Sequence, residues 1–183
     1  MPGATARYGW HYGVLSDTPD GATQEQTLAQ DVEVTVGGLD DRTVNSPKGY
    51  IGSHKPVAAV SSAGTTETVA CVVQWTAVTG RRYMCRWQGD MSGTGTTTTA
   101  NLRIRFKQTA STTDITGTII SARDSPVNAG ANTPCDQFGD FVAASSLTYT
   151  VVATIQANGT GNAVQAYNAT THTPNLTIED IGV

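Results

Sequence analysis

Three cationic side chains form the most suggestive chemical pattern in the sequence. Arg103, Arg105 and Lys107 alternate with apolar residues, so in a β-strand the cations share one face and the apolar residues share the other. A row of this kind is a candidate face for an anionic ligand or a glycan. The alternative, which the pattern favours, is a solvent-exposed face whose charge deters edge-to-edge pairing of sheets.

Residues that support catalysis or metal binding occur without the spacing that such sites need. His11, His54 and His172 are far apart in the sequence, and there is no Gly-x-Ser-x-Gly or P-loop motif. The acidic residues after position 57 fall mostly in predicted turns and strand ends, where Asp is common for backbone reasons. Glycoside hydrolysis needs two of them facing each other across a cleft. We therefore expect no enzymatic activity, no metal ion and no cofactor.

The three cysteines lack metal-ligand spacing. Cys71 and Cys85 alternate in phase with apolar residues, which predicts that both lie in a core as small apolar side chains. Cys135 falls in a predicted loop and is expected to be the exposed thiol.

An aromatic arm is predicted over residues 1–22. No helical or strand period in it is long enough to bury its large side chains. Tyr and Trp in an extended segment are typical of interfaces, so the arm is predicted to dock on another protein; folding back on the rest of the chain as a lid is the alternative. The candidate docking residues are Tyr8, Trp10, His11, Tyr12 and Leu15.

A short helix is predicted over residues 23–38, ending at two consecutive glycines. Leu28, Ala29, Val32 and Val36 form one narrow apolar stripe on it. Because three helical turns are not stable alone in water, the stripe is predicted to pack on copies of itself or on the chain's own sheet. Residues 39–56 are rich in turn formers and are predicted to be a linker.

From residue 57 to residue 183 the apolar period changes to two. Eight or nine short strands are predicted, separated by Gly, Asn, Asp and Pro, and no helical segment intervenes. This pattern predicts an all-β domain, an antiparallel β-sandwich or jelly roll. Trp75 and Trp87 alternate in phase with apolar residues and are predicted to be core.

Composition excludes two classes of partner. The formal net charge of −4 argues against nucleic acid, since binding to phosphates needs a basic excess. No apolar stretch approaches the about 20 residues of a membrane span, and the first residues do not resemble a secretion signal. Synthesis in the cytoplasm is expected.

Two segments resemble a known group of proteins. Residues 8–21, Tyr-Gly-Trp-His-Tyr-Gly-Val-Leu-Ser-Asp-Thr-Pro-Asp-Gly, and residues 26–33, Gln-Thr-Leu-Ala-Gln-Asp-Val-Glu, resemble the start of small virion proteins of tailed bacteriophages that infect actinobacteria. Residues 176–182, Leu-Thr-Ile-Glu-Asp-Ile-Gly, resemble the closing strand of the same group. These proteins are of the minor tail, tail fibre or head-decoration type.

The resemblance implies a non-enzymatic virion protein, a homotrimeric appendage with a knob similar to tumour-necrosis-factor-like jelly rolls. Its partners would be other copies of itself and phage capsid or tail proteins, which the arm would contact. The alternative is a carbohydrate-binding or host-receptor adhesion module that contacts a host-surface glycan, with the arm as a tether.

Overall fold

The computed structural model describes residues 3–4, 11–12, 21–94, 98–159, 162–166 and 173–183. The chain divides into two compact units, residues 1–46 and residues 47–183. The boundary therefore lies ten residues before the position predicted from the sequence, at 46/47 rather than 56/57.

The N-terminal unit contains one long helix. Its two-residue strands β1 (Gly3–Ala4) and β2 (His11–Tyr12) pair in antiparallel fashion, and helix α1 extends over Gly21–Asn45. The helix is longer than the predicted 23–38 because it continues through Gly37 and Gly38. Neither glycine adopts the positive φ that ends a helix, and a helical glycine costs only about 1 kcal/mol relative to alanine.

The predicted linker is mostly regular structure. Helix α1 occupies its first residues, and β3 (Gly49–His54) pairs with the last strand of the chain. Gly49 and Gly52 give this strand a weak apolar pattern, since glycine has low strand propensity and no side chain to alternate. A segment with so weak a pattern is typical of a connector, and the sequence therefore predicts a linker here.

The second unit is an antiparallel β-sandwich. After β3, its strands in chain order are β4 (Val60–Ala63), β5 (Thr68–Thr76), β6 (Arg82–Gly93), β7 (Thr98–Lys107), β8 (Thr118–Val127), β9 (Thr133–Val142), β10 (Thr148–Ala157), β11 (Ala163–Ala166) and β12 (Asn175–Gly182). One sheet has the order β3-β12-β6-β9, with β11 and β4 continuing beside the far half of β6. The other sheet has the order β5-β10-β7-β8.

The strand order is that of a jelly roll. When the eight principal strands (β3, β5 to β10 and β12) are renumbered from one in chain order, the first sheet reads 1-8-3-6 and the second reads 2-7-4-5. This is the arrangement of two interlocked Greek keys. The fold class predicted from the sequence is confirmed.

The core lies between the two sheets and is mostly aliphatic. Trp87 is fully buried, and Trp75 is partly buried and packs against the core cluster, so both occupy the predicted environment. A cluster of aromatic side chains fills one end of the sandwich, where the rings of Phe106 and Phe141 stack with centroids 4.0 Å apart. Because these rings are inside, any aromatic residue left outside is conspicuous.

Candidate ligand-binding face

The predicted docking arm lies largely outside the described residues. This holds for Tyr8, Trp10 and Leu15, and only the backbone of His11 and Tyr12 is described, as strand β2. Docking by the arm therefore stays a prediction.

The predicted oligomerisation residues lie together on α1 and are exposed to solvent. Leu28 is 42% exposed, Val32 36% and Val36 56%, and Ala29 is also exposed. With Glu25 and Glu33 these residues line one shallow groove along the helix. The structure brings the four side chains together as predicted, on a face that the described part of the chain leaves open.

The predicted cationic row is a network of ion pairs on the outer face of the second sheet. Glu67 accepts hydrogen bonds from Arg103 (Nη1 to Oε2, 2.9 Å) and from Arg105 (Nε to Oε1, 2.7 Å). Lys107 Nζ lies 2.6 Å from Asp114 Oδ2. The three cations therefore share a face, as predicted, and each already has a carboxylate partner.

The charge of Glu67 is held in place by its partners. Burial opposes ionisation of its carboxyl, but hydrogen bonds from Arg105 and Thr154 and the positive charge of Arg103 outweigh it, so the pKa of Glu67 lies below its usual range. The arrangement stabilises the sheet, and it leaves little unpaired positive charge for an anionic ligand.

A different face, the outer face of the first sheet, carries exposed aromatic side chains. Tyr50 on β3 is 65% exposed and Phe138 on β9 is 71% exposed. These two strands are the edges of the β3-β12-β6-β9 layer, so three strand spacings, about 14 Å, separate them across the sheet. We call this surface the Tyr50–Phe138 face.

Strand register defines the polar centre of this face. In one row across the sheet, Phe138 pairs with Arg86, and Arg86 pairs on its other side with Thr177. In a second row, Tyr50 pairs with Glu179, and Glu179 pairs on its other side with Met84. Their neighbours along the strands alternate into the core. The surface between the two rings therefore carries the hydrogen-bonding side chains of Arg86, Thr177 and Glu179 and the half-buried thioether of Met84.

Backbone packing fixes the orientation of Phe138. The next residue, Gly139, faces the second sheet so closely that a Cβ atom would lie 2.7 Å from the carbonyl oxygen of Ile120. On the preceding side, Gln137 Nε2 donates to Ser121 Oγ at 2.7 Å. With both neighbours directed inward, the Phe138 ring is held outward.

Two ion pairs between β6 and β9 flank Phe138. Arg86 donates two hydrogen bonds to Asp136 (3.1 and 2.7 Å), and Arg82 lies 3.3 Å from Asp140. The Arg86 hydrogen bonds hold the pKa of Asp136 below its usual range. Asp136 is therefore ionised at neutral pH and is unsuited to act as the general acid of a hydrolase.

The face can stack rings and form hydrogen bonds with an extended ligand. An aromatic ring offers an apolar surface to the apolar side of a sugar ring, and guanidinium, amide, hydroxyl and carboxylate groups can bond sugar hydroxyls. Among the described residues no three His, Cys, Asp or Glu side chains lie close enough together to hold a metal ion.

Sequence reasoning missed this face for two reasons. Tyr50 falls in the predicted linker. Phe138 and Phe141 are three residues apart, a separation that puts the two rings on opposite faces of one strand, but the sequence alone does not say which ring faces inward. Because Phe141 is buried, Phe138 must be outside.

Comparison with known proteins gives similar structures but no family. Neither a protein-family model nor a curated protein sequence matches the chain. Similar solved structures include the CBM22-1–GH10 modules of the N-terminal endo-1,4-β-D-xylanase 10B of Clostridium thermocellum, complexed with xylohexaose (15% identity, TM-score 0.34, 70% of this chain and 26% of that one).

Two further structures are similar at the same level. One is the CBM22-2 xylan-binding domain of Paenibacillus barcinonensis Xyn10C (10% identity, TM-score 0.36, 78% of this chain and 92% of that one). The other is infectious bursal disease virus, Gx strain (12% identity, TM-score 0.33, 76% of this chain and 37% of that one). The chain thus spans about a quarter of the xylanase chain and over a third of the viral one. The function is argued below from the residues of this chain.

None of the helices in the described residues has both the length and the mean hydropathy that a transmembrane helix needs.

Proposed function

We propose that the jelly-roll unit is a non-enzymatic carbohydrate-binding module that takes a polysaccharide across the Tyr50–Phe138 face. The observation that carries this proposal is the pair of exposed rings, Tyr50 at 65% and Phe138 at 71% exposure, on opposite edges of one sheet face. A chain of sugars lying across the four strands would stack on both rings.

The distribution of polarity favours a polyhydroxylated ligand over a protein. Protein interfaces have an apolar centre depleted of charge and a polar rim. The Tyr50–Phe138 face has the reverse distribution, since the rings lie at the edges and Arg86, Thr177 and Glu179 lie between them. Sugar hydroxyls can satisfy such a centre without desolvating it completely.

Affinity electrophoresis tests this proposal with the full chain and four neutral polysaccharides: xylan, hydroxyethylcellulose, mannan and dextran. At least one should retard the protein. Tyr50→Ala and Phe138→Ala should each abolish most of the retardation, because each removes one stacking surface. Tyr50→Phe, which keeps the ring, should retain it.

A matched control is Leu147→Ala. Leu147 is 51% exposed, so the variant removes an exposed apolar side chain away from the face and should bind as the unchanged protein does. Absence of retardation by all four polysaccharides would sink the proposal, and so would undiminished retardation of the Phe138→Ala and Tyr50→Ala variants.

A second candidate function is a virion structural protein that self-associates through its N-terminal unit. It is supported by the exposed stripe of Leu28, Val32 and Val36 on α1 and by the sequence resemblance. Exposed apolar residues in a row on one helix are typical of a surface that packs on another helix. This candidate is compatible with glycan binding by the jelly roll.

Light scattering tests the second candidate. A trimer gives a mass near three times 19.1 kDa, and Val32→Glu should return the chain to a monomer because it places a charge in the stripe. Val34→Glu is the control, since Val34 is exposed and lies off the stripe. If light scattering finds the unchanged protein to be a monomer, self-association is refuted.

Particle docking by the arm is tested separately. Replacing Trp10 and Tyr12 by alanine should abolish incorporation into phage particles.

A further inference from the structure

We infer that the Tyr50–Phe138 face selects neutral polysaccharides and discriminates against acidic ones. The inference rests on the proposed function and adds the ligand class. It follows from the way in which the charged groups of the face are paired.

The two guanidinium groups of the face are already engaged. Arg86 directs Nε and Nη2 at the two carboxylate oxygens of Asp136, at 3.1 and 2.7 Å, and Arg82 lies 3.3 Å from Asp140. The bidentate pair occupies the Nε/Nη2 edge of Arg86 and leaves Nη1 as a further donor. A uronic acid would therefore have to share each guanidinium group with an internal carboxylate, which already neutralises most of its charge.

One carboxylate of the face has no cation of its own. Glu179 forms no ion pair within the described part of the chain, while its register partners are Tyr50 on one side and Met84 on the other. On the four strands of the face, the described outward side chains thus include two guanidinium groups, Arg82 and Arg86, and three carboxylates, Asp136, Asp140 and Glu179, while Arg123 of β8 donates to the backbone carbonyl of Asp136. The surplus negative charge lies directly beside one of the two stacking rings.

A sugar chain stacked on Tyr50 must pass close to Glu179. Neutral hydroxyls can donate hydrogen bonds to this carboxylate. A carboxylate on the ligand would instead be repelled by it, since both charges lie well within the Debye length of about 8 Å at physiological salt. The charge of Arg86 reaches Glu179, but because Arg86 directs its hydrogen bonds to Asp136, it offsets only part of this repulsion.

The experiment compares each neutral polysaccharide of the panel with its carboxymethylated derivative, at low and high salt. For the polysaccharide that binds, we expect affinity for the carboxymethylated form to be lower by about fivefold or more at low salt, with the difference shrinking as salt is added. Glu179→Gln should reduce the difference, because it removes the surplus charge.

Two further variants make the test specific. Asp136→Asn should also reduce the difference, because it frees Arg86 to bind a ligand carboxylate. Glu33→Gln changes the net charge of the chain by the same amount, but Glu33 lies exposed on α1, so this control should leave the difference unchanged.

The outcomes separate the inference from the proposed function. Equal or tighter binding of the carboxymethylated form overturns the inference while carbohydrate binding stands. A difference that Glu33→Gln reduces as much as Glu179→Gln also overturns it, since net charge and not the face would then explain the selectivity. If no polysaccharide of either kind binds, the proposed function itself fails.

Discussion

Glu67 shows how one carboxylate can organise a sheet face. It lies at the meeting point of Arg103, Arg105 and Thr154, and only 11% of its side chain is exposed. Glu67→Gln should lower the free energy of unfolding by about 3 kcal/mol, the lower end for a broken buried pair, because 28% of the Arg103 side chain remains in contact with solvent. Urea unfolding measures this change.

Glu33→Gln is the control for Glu67→Gln, because an exposed glutamate without these partners should change stability by under about 0.5 kcal/mol. Equal stability of the two variants would show that the ion-pair network is not formed.

Two buried carboxylates make stability depend on pH. Hydrogen bonds from Arg81 and Gly182 overcome the burial of Asp180 and hold its pKa below the usual range, and the pKa of Glu67 is also lowered. A lowered pKa in the folded state contributes stability above the unfolded value, near pH 4, that is lost as the pH falls through the folded value. The unfolding temperature should therefore decline below about pH 4.

Asp180→Asn checks the origin of this decline. It should cost about 3 kcal/mol or more at pH 7, because Arg81 is 4% exposed and would lose its anion. The loss of stability between pH 5 and pH 3 should be smaller in this variant than in the unchanged protein; an identical decline would assign the effect to other groups.

All three thiols should be unreactive in the folded protein. Cys71 and Cys85 are fully buried and Cys135 is 2% exposed, and burial raises the pKa of Cys71 to about 12. Iodoacetamide reacts with the thiolate, so mass spectrometry should find no modified cysteine in the native protein and three in denaturant. Rapid native labelling at Cys135 would contradict its burial.

The prediction for Cys135 illustrates where residue-level reasoning succeeds and fails. Alternation predicts that Cys71 and Cys85 lie in the core, and both are buried. The prediction of an exposed Cys135 was wrong. Pro134 beside it indicated a loop, but both residues lie in β9, and an edge strand tolerates proline because one side of its backbone needs no partner.

At the scale of elements, the two glycines of α1 give a direct test of its length. No atom other than those of the adjacent residues and the helix's own backbone lies within 4 Å of a Cβ added at Gly37 or Gly38, and both have negative φ. Gly37→Ala with Gly38→Ala should therefore increase helicity at 222 nm and stabilise the helix by about 1 kcal/mol per site. If the helix instead ended at these two glycines, as the sequence predicts, alanine at a left-handed cap would reduce both quantities.

Elements with a clear period were predictable and elements rich in glycine were not. The alternation around Arg103 and Arg105 identified β7, and the structure has a strand at Thr98–Lys107. Strand β3 was missed because two glycines interrupt it. Its identity depends on pairing with β12, more than a hundred residues away, and no local pattern contains that information.

For the whole molecule, the fold class follows from local patterns and the candidate site does not. Many short strands without helices imply an antiparallel sandwich, which is what forms. The Tyr50–Phe138 face, however, is assembled from β3, β6, β9 and β12. Residues from both ends of the unit become neighbours only once the strand order is known, so Tyr50 and Phe138 could not be paired from the sequence.

The boundary between the units decides which part of the chain folds alone. A protein starting at Pro47 retains β3 and should fold with a thermal transition within a few degrees of that of the jelly roll in the full chain. Starting at Val57 removes β3, which leaves one edge of β12 unpaired and uncovers Val73, whose side chain packs against Gly52. The transition should fall by at least about 10 °C, or the protein should aggregate through the open edge.

These two truncations also bear on function. Since Tyr50 lies in β3, the protein starting at Pro47 should bind the same polysaccharide as the full chain. The protein starting at Val57 lacks one of the two stacking rings and should not, even where it remains soluble. Equal thermal stability of the two proteins in calorimetry would show that β3 is dispensable and would return the domain boundary to residue 57. In that case the Tyr50–Phe138 face would lose its rigid support, and ligand binding would have to depend on Phe138 alone.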